Sequence, residues 1–152
     1  SALERFAELK NVVALSWGSE DLIASLGGTS SRKANGRYRD VVRTARAKVL
    51  LAAGARGKLA IDAAYLDLAN TRALRREAED AAASGFAASA CIHPDQVDIV
   101  RDAYRPDADA IAWARSLLKA ADVGGSVFTH EGKMIDEPVL QHARTLLKRA
   151  TK

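Results

Sequence analysis

A chain of 152 residues holds one domain with a sizeable core and little more. Its residues are 48% hydrophobic but only 5% aromatic, so alanine carries much of the apolar content and close helix packing is expected. The single cysteine, Cys91, rules out an internal disulfide and a cysteine-based zinc site. No stretch approaches the length of a membrane span, and a net charge of +4 keeps anionic partners in view.

In chain order, Ala2–Leu9 reads as the last turns of a helix. Together with a first residue that is not methionine, this leads us to expect a piece cut from something longer. An apolar strand, Val12–Trp17, follows and ends on Gly18-Ser19-Glu20-Asp21. Loops at the carboxyl ends of buried parallel strands carry the chemistry in α/β folds. Two readings therefore stand for Glu20 and Asp21: acids that open a helix, or acids that meet a ligand or metal. Gly18–Gly36 reads as a long loop with Gly27-Gly28 near its middle, too weak a signal for a phosphate cradle. A long amphipathic helix is expected over Arg37–Arg56, stopped by Gly57.

Leu59–Ala64 is a second buried strand with Asp62 inside it. A buried acid is costly unless it is paired, and its simplest structural role is to receive backbone N–H groups at the strand end. Helix is expected over Arg72–Ser84, ended by Gly85. A third strand, Ala87–Ile92, makes Cys91 a buried, inert thiol and fits a cytoplasmic protein. The strand runs into His93-Pro94-Asp95-Gln96, where proline and Asp95 open a helix through Tyr104. Strand–helix alternation with buried strands means a parallel sheet with right-handed crossovers. Three strands covered on both faces leave sheet edges that something must pair.

After Pro106 the pattern changes to a helix–hairpin–helix. Asp107 N-caps a helix to Ala121, a Ser126–Thr129 strand turns at His130–Lys133, and an amphipathic helix ends near Ala150. His130 and His142 read as surface or helix-face residues. The basic segment Ser30–Arg43 lacks interleaved aromatics beyond Tyr38, which argues against nucleic acid as a partner.

Three stretches taken together resemble one family. Trp17-Gly18-Ser19-Glu20-Asp21-Leu22 resembles a G-x-E-D-L element. Ile92-His93-Pro94-Asp95-Gln96 resembles I-H-P-x-Q, and Gly132-Lys133-Met134-Ile135-Asp136-Glu137-Pro138 resembles G-x-M-I-D-x-P. In this order and spacing, with Ala60-Ile61-Asp62-Ala63 between the first two, they resemble the citrate lyase β-subunit-like proteins, magnesium-dependent TIM barrels of the aldolase and malyl-CoA lyase superfamily.

A TIM barrel has eight strands in ~250 residues, and the family's earlier motifs, including a substrate arginine and a metal-ligand glutamate, are absent. The resemblance therefore implies an α/β chain with about three C-terminal βα units (residues 1–105) and a C-terminal extension or lid (106–152). It implies Asp21 as a ligand to Mg²⁺, and Ser19, Glu20 and Asp21 as backbone donors to a substrate carboxylate. Asp62, Ile92, His93, Pro94 and Gln96 would lie along the coenzyme A moiety, with Asp136 as acid/base. The implied reaction is carbon–carbon cleavage of a citryl-, malyl- or citramalyl-type acyl-CoA thioester in a homo-oligomer, trimers being favoured. The chain alone is expected to be inactive; thioester hydrolysis on the same scaffold and a non-catalytic, anion-binding role are the alternatives.

Overall fold

The structure, a computed structural model, describes residues 2–124 and 127–151. It is mixed α/β and divides into two compact units, Ser1–Ala103 and Tyr104–Lys152.

The first unit runs α1 (Ala2–Glu8), β1 (Ala14–Ser16), α2 (Ser19–Ser25), α3 (Asp40–Gly54), β2 (Leu59–Asp62), α4 (Thr71–Ser84), β3 (Ala88–Ser89) and α5 (Asp95–Tyr104). The three strands form one parallel sheet in the order β1-β2-β3, as strand–helix alternation predicts. Leu15 sits opposite Ala60, and Asp62 opposite Ser89. Successive side chains on a strand point to opposite faces, so Leu15, Ala60 and Asp62 share one face, and all three are buried. Helices α3 and α4 pack on the strands, and Arg46 of α3 bonds Asp62 on this face.

The other face is open, which corrects the expectation of a sheet covered on both sides. Ser16 and Ala88 are exposed, and Leu59 is 56% exposed. Parallel sheets ordinarily bury both faces, whereas among the described residues this face stays accessible.

Two further corrections concern local structure. The stretch Gly18–Gly36 is not loop throughout, because Ser19–Ser25 is helical. Gly27 (φ 73°) and Gly28 end that helix: the Gly27 N–H donates to Ala24 O at 3.0 Å and the Gly28 N–H to Ile23 O at 2.9 Å. This is a Schellman cap that satisfies orphan helix carbonyls, so the Gly-Gly pair has a backbone role. The third strand is shorter than expected. Its ladder ends once the Ile92 N–H donates to Gln96 Oε1 (2.9 Å) instead of to a strand, which leaves Cys91 exposed rather than buried. Partial desolvation still pushes its thiol pKa up, so the thiolate form is disfavoured.

The second unit holds α6 (Ala108–Gly124), β4 (Phe128–His130), β5 (Lys133–Ile135) and α7 (Glu137–Ala150). Asp107 caps α6 as predicted, its Oδ1 accepting from the Ala110 N–H at 2.7 Å. The expected strand start at Ser126 lies outside the described residues. Strands β4 and β5 pair antiparallel through a two-residue turn, Glu131-Gly132, both with positive φ (49° and 75°). Those are the torsions of a type I′ hairpin, which makes the glycine at the second position apt. Ala114, Leu117, Ile135, Leu140 and Ala143 form the core of this unit.

Candidate active site

The candidate residues of the first unit lie in the segments that follow the carboxyl ends of its parallel strands. Gly18 is the N-cap of α2 and lends no side chain. The first helical bond runs from the Leu22 N–H to Gly18 O at 3.1 Å. The N–H groups of Ser19, Glu20 and Asp21 precede it and have no intrahelical acceptor. Asp21 is exposed, and among the described residues its carboxylate has no ion-pair or hydrogen-bond partner.

Its position explains the glycine before it. A Cβ on Gly18 would lie 2.3 Å from Asp21 Oδ2. Gly18 has φ −123° and ψ 123°, a conformation open to any residue. Gly18→Ala is therefore expected to change stability by less than about 1 kcal/mol while turning the Asp21 carboxylate away. Thermal unfolding and the Asp21 carboxyl NMR shift would check the two halves; an unmoved Asp21 signal would contradict the second.

Glu20 turns the other way. Its Oε1 accepts from Ser19 Oγ at 3.4 Å and from Ser31 Oγ. Both serines are buried, at 4% and 3% exposure, and Glu20 satisfies their hydroxyls. Glu20 is thus committed to the protein, whereas Asp21 has no partner among the described residues.

Asp62 is the acid whose burial needed explaining, and it is densely bonded. Trp17 Nε1 donates to Oδ1 at 3.0 Å, and the Ala63 N–H donates to the same oxygen at 3.0 Å. Arg46 donates from Nε (2.9 Å) and Nη2 (2.7 Å) to Oδ2. The backbone contact expected from its strand-end position is present, and an arginine fork is added to it. Arg46 also reaches Asp80 through Nη1 at 2.6 Å. Burial opposes the arginine's charge, but bonds to the two aspartates outweigh it and raise its pKa.

The His93-Pro94 loop is braced by Gln96, which is 3% exposed. While Oε1 accepts from the Ile92 N–H, Nε2 donates to Tyr65 O at 2.7 Å. This side chain ties the loops after β2 and β3 together. His93 is exposed and its Nδ1 accepts from the Asp95 N–H at 3.2 Å; Ile92 is 54% exposed and Pro94 is exposed. Asp136 belongs to the second unit. It N-caps α7 with Oδ1 accepting from the Val139 N–H at 3.4 Å, and it is half-buried.

Sequence reasoning passed over Arg46, Trp17 and the pair Arg32–Glu77. Arg32 donates to Glu77 through both terminal nitrogens at 2.8 Å, and its guanidinium stacks 3.9 Å from the Tyr38 ring centroid. One signal was available: Arg46 lies four residues after Val42 and three before Val49, on the buried stripe of α3. A cation on that stripe is the partner that a buried Asp62 requires. A cleft of about 1210 Å³ opens beside these groups, lined among others by Ser19, Glu20, Arg32, Tyr38 and Glu77. Among the described residues no three His, Cys, Asp or Glu side chains gather as a metal cage.

A parallel α/β unit with a carboxylate that has no partner among the described residues, helix N–H groups without intrahelical acceptors and a braced loop after its strands has the build of α/β folds that place their sites at the carboxyl ends of the strands. The chain belongs to the HpcH/HpaI aldolase/citrate lyase family, whose model matches residues 1–94. It is 54% identical over 138 residues to the citrate lyase subunit beta-like protein of Mycobacterium tuberculosis, covering 91% of this chain and 50% of that protein. It is 36% identical over 142 residues to the mitochondrial citramalyl-CoA lyase of Rattus norvegicus, covering 91% of this chain and 40% of that enzyme. A crystal structure of protein CitE from Mycobacterium tuberculosis, in complex with magnesium, acetoacetate and coenzyme A, superposes with a TM-score of 0.93. The two are 50% identical, and the match covers 99% of this chain and 56% of that one. The chain thus spans about half the length of these relatives.

Proposed function

We propose that this chain supplies the C-terminal part of a Mg²⁺-dependent lyase that cleaves a carbon–carbon bond in a citryl-, malyl- or citramalyl-type acyl-CoA. The observation that carries this reading is Asp21: a free, exposed carboxylate at the end of a parallel strand, beside unpaired N–H groups, in a chain of this family. Residues 1–105 act as an arc of a TIM barrel. The one-sided cover of the sheet supports this, since the uncovered face carries Ser16, Ile61 and Ala88, short or apolar side chains suited to a barrel interior. Residues 106–152 act as a lid, and the whole works as a homo-oligomer. No helix is long and apolar enough to cross a membrane among the described residues, and the lone cysteine fits a reducing, cytoplasmic setting.

Asp21 fits Mg²⁺ as one ligand of several. It offers a hard oxygen, and Mg²⁺ takes one or two protein carboxylates while keeping waters and substrate oxygens. When bound, the ion supplies Lewis-acid polarisation of the keto-acid oxygens. The N–H groups of Ser19, Glu20 and Asp21 donate to the substrate carboxylate at the positive end of α2. The Ile92–Pro94 turn, held by Gln96 and the Asp62 clasp, forms the wall along the coenzyme A moiety. In cleavage, the hydroxyl proton passes to water, the C2–C3 bond breaks to leave the keto acid, and the electron pair passes to the acyl-CoA as its enolate. Asp136 donates the proton that quenches the enolate, and removes it again in the condensation direction.

The test is made in protein carrying the full barrel. Asp21→Ala is expected to abolish Mg²⁺-dependent binding of a keto acid, read by calorimetry with and without Mg²⁺. Undiminished Mg²⁺-dependent binding would remove Asp21 from the ligand set.

A further inference from the structure

The turn that carries Asp21 is held from a distance. Loop 27–39 crosses from the end of α2 to the start of α3 and folds on itself through an antiparallel bridge between Arg32 and Tyr38. Arg39 N–H donates to Ser31 O at 2.9 Å, and Arg32 Nη1 donates to Gly36 O at 3.0 Å. What anchors the fold of this loop is Glu77 on α4. Its carboxylate accepts both arms of the Arg32 guanidinium at 2.8 Å and, on Oε1, the Tyr38 hydroxyl at 2.9 Å. Arg32 and Glu77 are mostly shielded, with side-chain exposures of 23% and 19%. Arg32 is also sandwiched near Tyr38 and Tyr65, at 3.9 and 4.8 Å from their ring centroids.

The residue next to Arg32 is Ser31, whose hydroxyl donates to Glu20. Glu20 also takes the Ser19 hydroxyl. One side of the α2 first turn is thus pinned by a loop that α4 holds down. Tyr38 reinforces the pin, packing with Ile23 and Val42 and standing edge-on to Trp17 at 5.9 Å. Burial and the Glu77 charge push the Tyr38 phenol pKa up, so it stays a protonated donor to Glu77.

We propose that Glu77 is a positioning residue: through Arg32 it sets Ser31 against Glu20, and so fixes the turn that presents Asp21. The importance of that turn rests on the lyase reading above; the mechanical link from Glu77 to the turn does not.

The experiment follows amide hydrogen exchange by NMR in the 152-residue chain. It compares Leu22, which closes the first turn of α2, with Val49 in the buried part of α3. The variants are Glu77→Gln, Ser31→Ala and the double variant. Losing a hydrogen bond to a charged group is worth about tenfold or more in a local equilibrium. Each single variant is therefore expected to speed Leu22 exchange about tenfold, with Val49 changing less than about twofold. The double variant is expected to match Glu77→Gln alone, because both act through one link. An unchanged Leu22 rate, fully additive effects, or equal acceleration at Val49 in Ser31→Ala would overturn the proposal. If Glu77→Gln loses protection everywhere, Arg32→Lys, which keeps the charge but not the two-armed bond to Glu77, takes its place with the same expected and overturning rates. Failure of the lyase reading would appear instead in the Asp21→Ala calorimetry and leave these exchange rates untouched.

Discussion

Replacing Arg46 with alanine is expected to lower the unfolding free energy by about 3–5 kcal/mol, the usual cost of stranding one member of a buried ion pair. Asp62 is 2% exposed, so water cannot readily take over when the guanidinium leaves. The Trp17 and Ala63 donors remain, both on Oδ1, but Oδ2 loses its contacts to Arg46. The same guanidinium provides an internal control. Its bond to Asp80 is as short as its bonds to Asp62, yet the Asp80 side chain is 63% exposed. Solvent screens such a pair, and Asp80→Ala is expected to cost within about 1 kcal/mol. Geometry alone would rank the two contacts as equals; burial separates them. Urea unfolding with an unchanged slope would measure both. A loss below 1 kcal/mol for Arg46→Ala would mean that Asp62 finds another counter-charge. Against a typical total of about 5–15 kcal/mol, the expected loss would leave the end of β1, and the Asp21 turn with it, poorly held.

The clasp also shows what the sequence can and cannot disclose. Helix α4 is legible because its periodicity and its stop are local, Gly85 ending it with φ 109°, although its Asn70 cap, which accepts from the Ala73 N–H at 3.1 Å, went unread. Strand β2 is legible as a short apolar run, and Asp62 stands out because an acid there demands a partner. The partner's identity is another matter. Arg46 precedes Asp62 by 16 residues, and Arg32 precedes Glu77 by 45. Periodicity reads faces of one element; it does not say which faces meet. Helix α2 was hidden for a different reason. Seven residues make about two turns, too few for a 3.6-residue pattern to stand clear, and the Gly-Gly that caps it also reads as loop. The open sheet face went unseen because burial was inferred from apolar runs, and a short apolar strand looks alike whether one face or both are covered. The candidate site was legible as motifs at strand ends. Its rigidity, which lies in Gln96, Arg46 and Glu77, was not, since each acts through a contact far away in sequence.

Asp136 tests whether a motif residue does chemistry or only local structure, and asparagine can separate the two. The carboxylate caps α7, and Asp136 O also accepts from the Val139 and Leu140 N–H groups at 3.1 Å. Alanine there would remove the side-chain cap and cost about 0.5–2 kcal/mol, so lost turnover in Asp136→Ala would mix misfolding of the second unit with loss of a proton carrier. Asparagine ranks with aspartate as an N-cap and forgoes only the charge interaction with the helix end. Asp136→Asn is therefore expected to alter stability by less than about 1 kcal/mol, read by thermal unfolding of the chain. An amide cannot exchange a proton with an enolate carbon at neutral pH. In protein carrying the full barrel the same substitution is expected to lower turnover about 10²–10⁴-fold, the usual contribution of a positioned acid/base. Preserved stability with collapsed turnover would assign Asp136 to the reaction. Preserved stability with normal turnover would make it a helix cap alone, and the proton would have to be handled by another group.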